Sequence, residues 1–393
     1  MKRMFMCKFA DETNNSKKLM FIVNVDWFFT SHRLPIALEA MAKGYDVHLA
    51  ATITDKKEEL ENLGITLHPL VIGDGKTSLF KFIRSFLQIL SVLKIVKPNL
   101  VHLVTIKPVL LGGIASRLMK VDAVVAAISG LGSAFSTNGV KASIRRWLIG
   151  AIYKQALKHK NLKVIFQNEN DKAILKKLTG LDKKKTHMIP GSGVNLEQFN
   201  FEPIVDEDIK FIFAGRLLYE KGVGEFVEAA KCIQAENLSN KQTIKFIVVG
   251  APYPNNPSSV KKEEINEWVN SGVIEYWGER QDMPEVIKQA HAMVLPSYYG
   301  EGLPKVLIEA AASGRAIITT DHPGCRDAII NNVSGILVKT RDSDDLSNAM
   351  RKLIKEPEVA KKMGSNGRKL AEQKFAIEKV TSEHLKIYSD LLS

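Results

Sequence analysis

Pro296-Ser297-Tyr298-Tyr299-Gly300-Glu301-Gly302-Leu303-Pro304-Lys305-Val306-Leu307-Ile308-Glu309-Ala310 follows an apolar run that ends at Leu295. The order is buried strand, glycine-rich turn, helix, with the helix opening near Leu303. Pro304 suits the first helical turn, where its missing N–H costs nothing. Free backbone N–H groups and the positive end of the helix dipole make such a turn an anion site. Glu309 lies about one and a half turns deeper, roughly 8 Å along the axis at 1.5 Å per residue. That is about the distance from a diphosphate to the ribose hydroxyls of a nucleotide, and a carboxylate can accept from both hydroxyls. Glu301 stands before the helix, where a sugar beyond the phosphates would lie. Two glutamates eight apart are common on helices; the Gly-Glu-Gly turn and the strand before it set this pair apart.

Working outward, the same strand-then-helix order recurs along the chain. Apolar runs at Leu19–Val25, Val47–Ala50, Leu100–Val104, Ala123–Ile128 and Val164–Gln167 are each followed by helical periodicity, the first over Arg33–Lys43. The pattern pauses around Gly191–Asp208 and restarts with Ile209–Ala214, Ile244–Val249, Val273–Tyr276, Ala292–Leu295 and Ala316–Thr319. Alternation of this kind predicts parallel α/β layers. We read two doubly wound domains, 19–200 and 201–375, then an amphipathic helix within 376–393. Residues 1–18 show no pattern and read as a disordered leader. Asp11 and Glu12 interrupt any apolar stretch after Lys2 and Arg3, so no signal peptide is expected.

The chain has 393 residues, enough for two domains, and a 45% hydrophobic, 25% charged composition that excludes fibrous and disordered classes. Cys7, Cys232 and Cys325 are few and far apart, which excludes a disulfide scaffold or a Cys-rich zinc site and fits a reducing cytoplasm. Charge is uneven. Residues 1–200 carry 30 Lys and Arg against 15 Asp and Glu, whereas the remainder carries 25 against 28. The first half therefore faces something anionic, or is simply lysine-rich for solubility. Ser78–Val96 is apolar nearly all round, with Lys81, Arg84, Gln88, Ser91 and Lys94 in one narrow stripe. Ala142–Lys160 sets Trp147, Leu148, Ile152 and Tyr153 beside Arg145, Arg146, Lys154 and Lys158. Both are too interrupted by cations to span a bilayer. They read either as crossover helices or as basic amphipathic helices suited to a membrane surface.

A second constellation, Phe213-Ala214-Gly215-Arg216-Leu217-Leu218-Tyr219-Glu220-Lys221-Gly222, leads from a strand through a glycine to two cations five apart. Arginine offers planar bidentate contact to phosphate oxygens and lysine a mobile point charge. By spacing alone the two also fit a solvated pair.

Taken together, Glu301-x7-Glu309, Gly215-Arg216…Lys221-Gly222 and Pro190-Gly191-Ser192-Gly193-Val194-Asn195…Phe199 give the chain a resemblance to retaining glycosyltransferases of family 4. It extends from about Leu19 to Leu392. Phe28-Phe29-Thr30-Ser31-His32-Arg33-Leu34-Pro35 and Ile128-Ser129-Gly130-Leu131-Gly132 look like the bacterial O-antigen, capsule and glycan-assembly branch. The resemblance implies a GT-B fold, two Rossmann-like domains facing a central cleft with the C-terminal helix crossing back to the first. It implies that Gly215, Arg216, Lys221, Gly302 and Leu303 hold the donor diphosphate, Glu309 the ribose, and Glu301 the donor sugar or developing charge. His32, Arg33, Gly130 and Gly132 would lie on the acceptor side.

The chain departs from the family pattern in two places. Asp26-Trp27-Phe28 stands where many members carry two glycines after the first strand. Val104 stands where many carry the second histidine of His-x-His, the first being His102. His102 thus reads as a catalytic or a core histidine, and Lys107, just beyond that strand, as a second catalytic candidate that contacts donor or acceptor phosphate.

The function this implies is transfer of a hexose or N-acetylhexosamine from a nucleotide diphosphate sugar, UDP foremost, to a polyprenyl-diphosphate-linked saccharide in cell-surface polysaccharide assembly. The expected enzyme needs no metal or other cofactor and sits peripherally on the inner face of the cytoplasmic membrane. A non-hydrolysing sugar-nucleotide epimerase of the same architecture is the alternative. A dinucleotide oxidoreductase fails because Gly130-Leu131-Gly132-Ser133-Ala134-Phe135 lacks the third glycine of Gly-x-Gly-x-x-Gly. A nucleic-acid-binding module is the more distant reading; the basic helices carry apolar bulk rather than base-reading side chains, so no nucleic-acid partner is expected.

Overall fold

The structure is a computed structural model that describes residues 16–72, 79–132, 140–204, 208–236, 242–254 and 256–393. The expected leader falls almost wholly on residues 1–15, outside the described residues, as does Cys7. Strands β1 (Lys18–Val25), β2 (Asp46–Thr52), β3 (Thr66–Pro69), β4 (Leu100–Val104), β5 (Ala123–Ile128), β6 (Leu162–Phe166) and β7 (Thr186–Met188) form one sheet. Its order is β3-β2-β1-β4-β5-β6-β7. Strands β8 (Ile209–Ala214), β9 (Ile244–Val249), β10 (Glu275–Gly278), β11 (Ala292–Leu295), β12 (Ala316–Thr320) and β13 (Ile336–Val338) form the other, ordered β10-β9-β8-β11-β12-β13. The pairings are parallel. Parallel strands are covered on both faces, so they are apolar at nearly every position. The wholly buried runs of β5 and β11 meet that demand throughout, and β4 does so at every position but His102.

In each sheet the strand order reverses between two central strands, β1 and β4 in one, β8 and β11 in the other. Ligands of open α/β sheets bind beyond the carboxyl ends of the strands at such a switch point. Both motifs of the second half leave from it: Gly215-Arg216 follows β8 and the Gly-Glu-Gly turn follows β11.

The chain divides into two compact units that do not follow chain order. One comprises residues 1–127, 155–163 and 384–393; the other comprises 128–154 and 164–383. In the first unit, the end of the last helix (Ile377–Leu392) supplies Tyr388, fully buried, whose hydroxyl lies 2.5 Å from Nδ1 of His102 on β4. Nearby, Asn161 Nδ2 donates to the Leu391 carbonyl at 2.8 Å.

The helix expected over Arg33–Lys43 is present as Leu34–Ala42, and a further short helix, Asp26–His32, precedes it and meets it at Arg33. Pro35 fits a new helix start there, because it lacks the N–H that a continuous helix would need to donate to the Ser31 carbonyl and is tolerated in a first turn. Asp26 starts the first of these helices and is fully buried. Its carboxylate accepts from Thr54 N at 2.6 Å, Thr54 Oγ1 at 2.6 Å, Lys56 N at 3.2 Å and Trp27 N at 2.8 Å. This carboxylate ties the end of β1 to the loop after β2. The short strands β3, β7 and β13, three or four residues each, are additions to the sequence reading.

The two basic amphipathic segments are the helices Leu79–Val96 and Val140–Ala156. Phe80 and Ile95 on the first are each 75% exposed, and Ile83 and Leu87 are exposed too; Trp147 on the second is 69% exposed beside Ile144 and Leu148. Neither is a packed crossover helix on all of its apolar surface. No helix among the described residues is long and apolar enough to cross a membrane.

Candidate active site

Within the second unit, the turns leaving β8 and β11 are brought together by one glycine. Gly222 has φ +81°, and a Cβ there would run into the carbonyl of Pro296. Only glycine takes that conformation at that approach without strain. The single 3-10 turn Tyr219–Lys221 just before it is held by Tyr298 N donating to the Glu220 carbonyl at 2.9 Å, and by Ser297 Oγ donating to the same oxygen at 3.2 Å. The result is a close ion pair between Lys221 Nζ and Glu301 Oε1, with side chains only 12% and 13% exposed. Glu301 also accepts from Ser297 Oγ at 3.3 Å. Lys221 Nζ lies 5.7 Å from the centre of the Tyr299 ring.

Arg216 leaves β8 on the same side of its strand end. Its guanidinium stands 5.5 Å from the ring of Tyr253, and it makes no ion pair with any described carboxylate. It is a cation held by an aromatic face and open to an anion.

Glu309 lies on the helix Lys305–Ala312, which begins after Pro304, two residues later than the sequence suggests. The carboxylate is buried and pairs with Lys305 Nζ at 3.4 Å. Burial raises its pKa and the lysine opposes that rise. Leu303 N–H, expected to be free for phosphate, donates instead to Gln167 Oε1 at 3.1 Å. Asn168 Nδ2 reaches the carbonyls of Glu301 and Gly302 at 3.3 and 3.1 Å. Gln167 and Asn168 therefore hold the Glu301 turn in place, a role the sequence reading did not assign. The only local signal was Asn168 as a cap before a helix, which it also is, accepting from Asp171 N at 2.8 Å.

Gly130 and Gly132 were expected on the acceptor side; their backbones lie against the same turn. Gly132 N donates to the Gly300 carbonyl at 3.3 Å, and a Cβ on Gly130 would come within 2.8 Å of Gly302 N. They buttress Glu301.

Beside Glu301 opens a cavity of about 310 Å³ lined by Asp171, Tyr298, His322 and Arg341, among others. Asp171 is buried, and that burial, aided by the nearby Asp327 charge and opposed by the hydrogen bond from Asn168, pushes its carboxyl up to about 6. A carboxyl raised in the folded state favours folding while protonated, below its unfolded value of 3.8, and that contribution is lost as pH rises through about 6. We expect Asp171→Asn to raise the melting temperature at pH 7 by the equivalent of about 1–3 kcal/mol and to change little at pH 4. Thermal scans of both proteins across that range check it; equal melting temperatures at pH 7 would contradict the burial cost.

Four expected site residues belong to the first unit, and two need correction. His102 is fully buried, with Nδ1 engaged by Tyr388 and the His384 ring stacked 5.6 Å away. Burial, with the neighbouring His384 and Arg33 charges, holds its pKa well below the ordinary histidine value. A side chain with no exposure cannot reach a substrate, so His102 is a core histidine and leaves the catalytic set. Arg33 is likewise buried, which lowers its guanidinium to about 10; it is an interior residue rather than an acceptor-facing one. His32 stays partly exposed, stacked 4.1 Å from Phe28. Lys107 lies in the first turn of the helix Ile106–Leu118, Nζ donating to the Ile72 carbonyl at 3.4 Å. Thr105 before it has φ +75°, a strained value for a β-branched residue at a strand end.

Two cations and a carboxylate thus stand at the switch point of a parallel sheet, where open α/β folds bind their ligands. Residues 194–370 match the family model "Glycosyl transferases group 1", and residues 18–168 match "Glycosyl transferase 4-like". The chain belongs to these glycosyltransferases. It is similar to the N,N'-diacetylbacillosaminyl-diphospho-undecaprenol alpha-1,3-N-acetylgalactosaminyltransferase of Campylobacter jejuni, 28% identical over 92% of this chain and 95% of that one. It is also similar to the UDP-Gal:alpha-D-GlcNAc-diphosphoundecaprenol alpha-1,3-galactosyltransferase of Escherichia coli, 28% identical over 80% of this chain and 81% of that one. Among solved structures, Anabaena HepE in complex with UDP and glucose superposes with a TM-score of 0.75 at 17% identity, covering 95% of this chain and 99% of that one. The fold is GT-B. The epimerase alternative is not favoured by these matches.

Proposed function

We propose that the protein is a retaining glycosyltransferase that moves a hexose or N-acetylhexosamine from a UDP-sugar to a polyprenyl-diphosphate-linked saccharide, without a metal. The observation that carries this reading is the meeting of Lys221 and Glu301 across the turns that leave β8 and β11, with Arg216 at the end of β8 paired to no described carboxylate. Arg216 and Lys221 bind and neutralise the leaving diphosphate, the role a divalent cation fills in other transferases. Glu301, drawn to Lys221 in the free protein, turns to the donor sugar when the diphosphate takes the lysine. Glu309 accepts from the ribose hydroxyls, and Lys107 contacts the acceptor phosphate. The names of the Campylobacter and Escherichia relatives support a lipid-diphosphate acceptor and, for the second, a UDP donor. The test is a panel of nucleotide sugars offered with undecaprenyl-diphosphate saccharides, with and without EDTA. We expect transfer from one UDP-sugar that persists in EDTA; activity restored only by magnesium or manganese would overturn the metal-free clamp.

The same reading includes a peripheral place on the cytoplasmic face of the membrane. Exposed Phe80, Ile83, Leu87 and Ile95 on one helix and Trp147 on another supply apolar area beside Arg84, Lys94, Arg145 and Arg146. Anionic headgroups attract each such cation by about 1 kcal/mol, an attraction that salt screens. We expect the protein to pellet with vesicles containing anionic lipid and to leave them at high salt. Changing the four cations to glutamate should release it while donor affinity is kept. A charge-reversed protein that still pellets, or a wild type that ignores vesicles, would contradict this.

A further inference from the structure

The cavity beside Glu301 lies outside the diphosphate clamp, and its lining is chemically mixed. Asp171 reaches it from the helix Glu169–Thr179, although the residue is only 5% exposed. Among the described residues its carboxylate has one side-chain partner, Asn168 Nδ2 at 3.0 Å on Oδ2, and no cation. A buried carboxylate without a cation is costly, and an arrangement that keeps one has left its acceptor capacity for something else. Arg341 also lines the cavity. It sits in the left-handed region at φ +58°, with its guanidinium 4.4 Å over the Tyr298 ring. His322 adds a ring whose pKa is lowered by burial and whose Nδ1 lies 3.1 Å from the Pro323 carbonyl, so the neutral imidazole presents Nε2 as an acceptor.

What fits such a lining follows by elimination. A phosphate or a nucleotide would be set against the buried Asp171 carboxylate, while Glu301 is already neutralised by Lys221. An acyl chain would leave Asp171, Asn170 and Thr340 without partners. A neutral molecule dense in hydroxyls satisfies all of them at once, since it donates to the carboxylate and accepts from the guanidinium. At about 310 Å³ the cavity is at the small end of ligand sites, room for one ring and not for a nucleotide sugar.

We propose that this cavity is a subsite for one neutral pyranose, in which Asp171 accepts from ring hydroxyls and Arg341 and His322 complete the recognition. The inference rests on the glycosyltransferase reading above, and the pyranose is either the donor's transferred sugar or the acceptor's terminal one. In both cases Asp171 selects among sugars by the placement of their hydroxyls, since a site built to bond a hydroxyl strongly rejects the analogue that lacks it.

The test uses the full chain and three variants. Asp171→Asn and Asp171→Ala remove the charge, the first with nearly the same shape. Arg341→Gly removes the guanidinium and tolerates the left-handed backbone. Saturation-transfer NMR with the methyl glycosides of glucose, galactose, N-acetylglucosamine and N-acetylgalactosamine reads the cavity without any reaction. We expect at least one glycoside to bind wild type and to bind each variant about tenfold more weakly or worse. Steady-state transfer then separates the sources. A tenfold rise in acceptor KM with donor KM unchanged assigns the acceptor sugar, and the reverse assigns the donor sugar. Variants that bind glycosides and show both KM values as wild type does would overturn the subsite while leaving the transferase reading intact. A wild type that transfers no sugar from any donor would defeat that reading, and the glycoside titrations would still decide the cavity.

Discussion

Replacing Lys221 with alanine is expected to lower kcat by about 10²–10³, and Arg216→Ala to do nearly the same, because each removes a preorganised charge facing the leaving diphosphate. The two losses should not add when combined, since the cations act on one group as a unit. Lys221 carries a second consequence that Arg216 does not. Its partner Glu301 is nearly as buried as it is, so the alanine leaves a carboxylate without its cation. Breaking a buried pair costs on the order of 3–5 kcal/mol. Lys221→Ala should therefore melt several degrees early, whereas Arg216→Ala, stacked on Tyr253 without an ion pair, should melt close to wild type. Assays well below both midpoints separate chemistry from folding. An Arg216→Ala enzyme within threefold of wild type would end the clamp assignment.

Gly222→Ala should be strongly damaging. It forces a Cβ onto the Pro296 carbonyl and an L-residue into φ +81°. Left-handed strain costs about 1–3 kcal/mol and overpacking a similar amount. We expect a drop in melting temperature on the order of 5–10 °C and an activity loss beyond tenfold, because the Lys221 and Glu301 turns can no longer touch. Gly224 supplies the control two residues on. Nothing lies within 4 Å of a Cβ there, and it sits in the helix Val223–Ala235, where alanine is preferred by up to about 1 kcal/mol. Gly224→Ala should be neutral or slightly stabilising with full activity. Similar behaviour of the two variants would mean that the turn contact is unimportant.

The parts of this site that were legible in the sequence share a property: their chemistry and their geometry come from one short segment. Leu295 to Glu309 spells strand, turn and helix in order, and Phe213 to Gly222 does the same. What the sequence hid depends on partners far along the chain. Gln167 and Asn168 look like the end of a strand and a helix cap, and nothing local says that the carbonyls of Glu301 and Gly302, over a hundred residues later, are their targets. Asp171 reads as an ordinary first-turn acid, favoured there by the helix dipole. His102 misled because its neighbours in sequence resemble a catalytic strand end; the group that buries it, Tyr388, lies near the other end of the numbering. Strands β3 and β7 were missed because they read Thr-Leu-His-Pro and Thr-His-Met instead of an apolar run, and β13 because three residues are too few to show a period.

The first unit is assembled from residues 1–127, 155–163 and 384–393, and this bears on how the protein is made. A ribosome delivers residue 127 long before residue 384, and at 5–20 residues per second the interval is roughly 13–50 seconds. Throughout that time β4 lacks the Tyr388 hydroxyl that engages His102, and Asn161 lacks the Leu391 carbonyl. The second unit, residues 128–154 and 164–383, has by then been synthesised in full. The order of birth is thus the reverse of the order of numbering: the half that begins the chain is the last to be completed, and a nascent chain stalled short of residue 384 exposes an unfinished N-terminal core to chaperones and proteases.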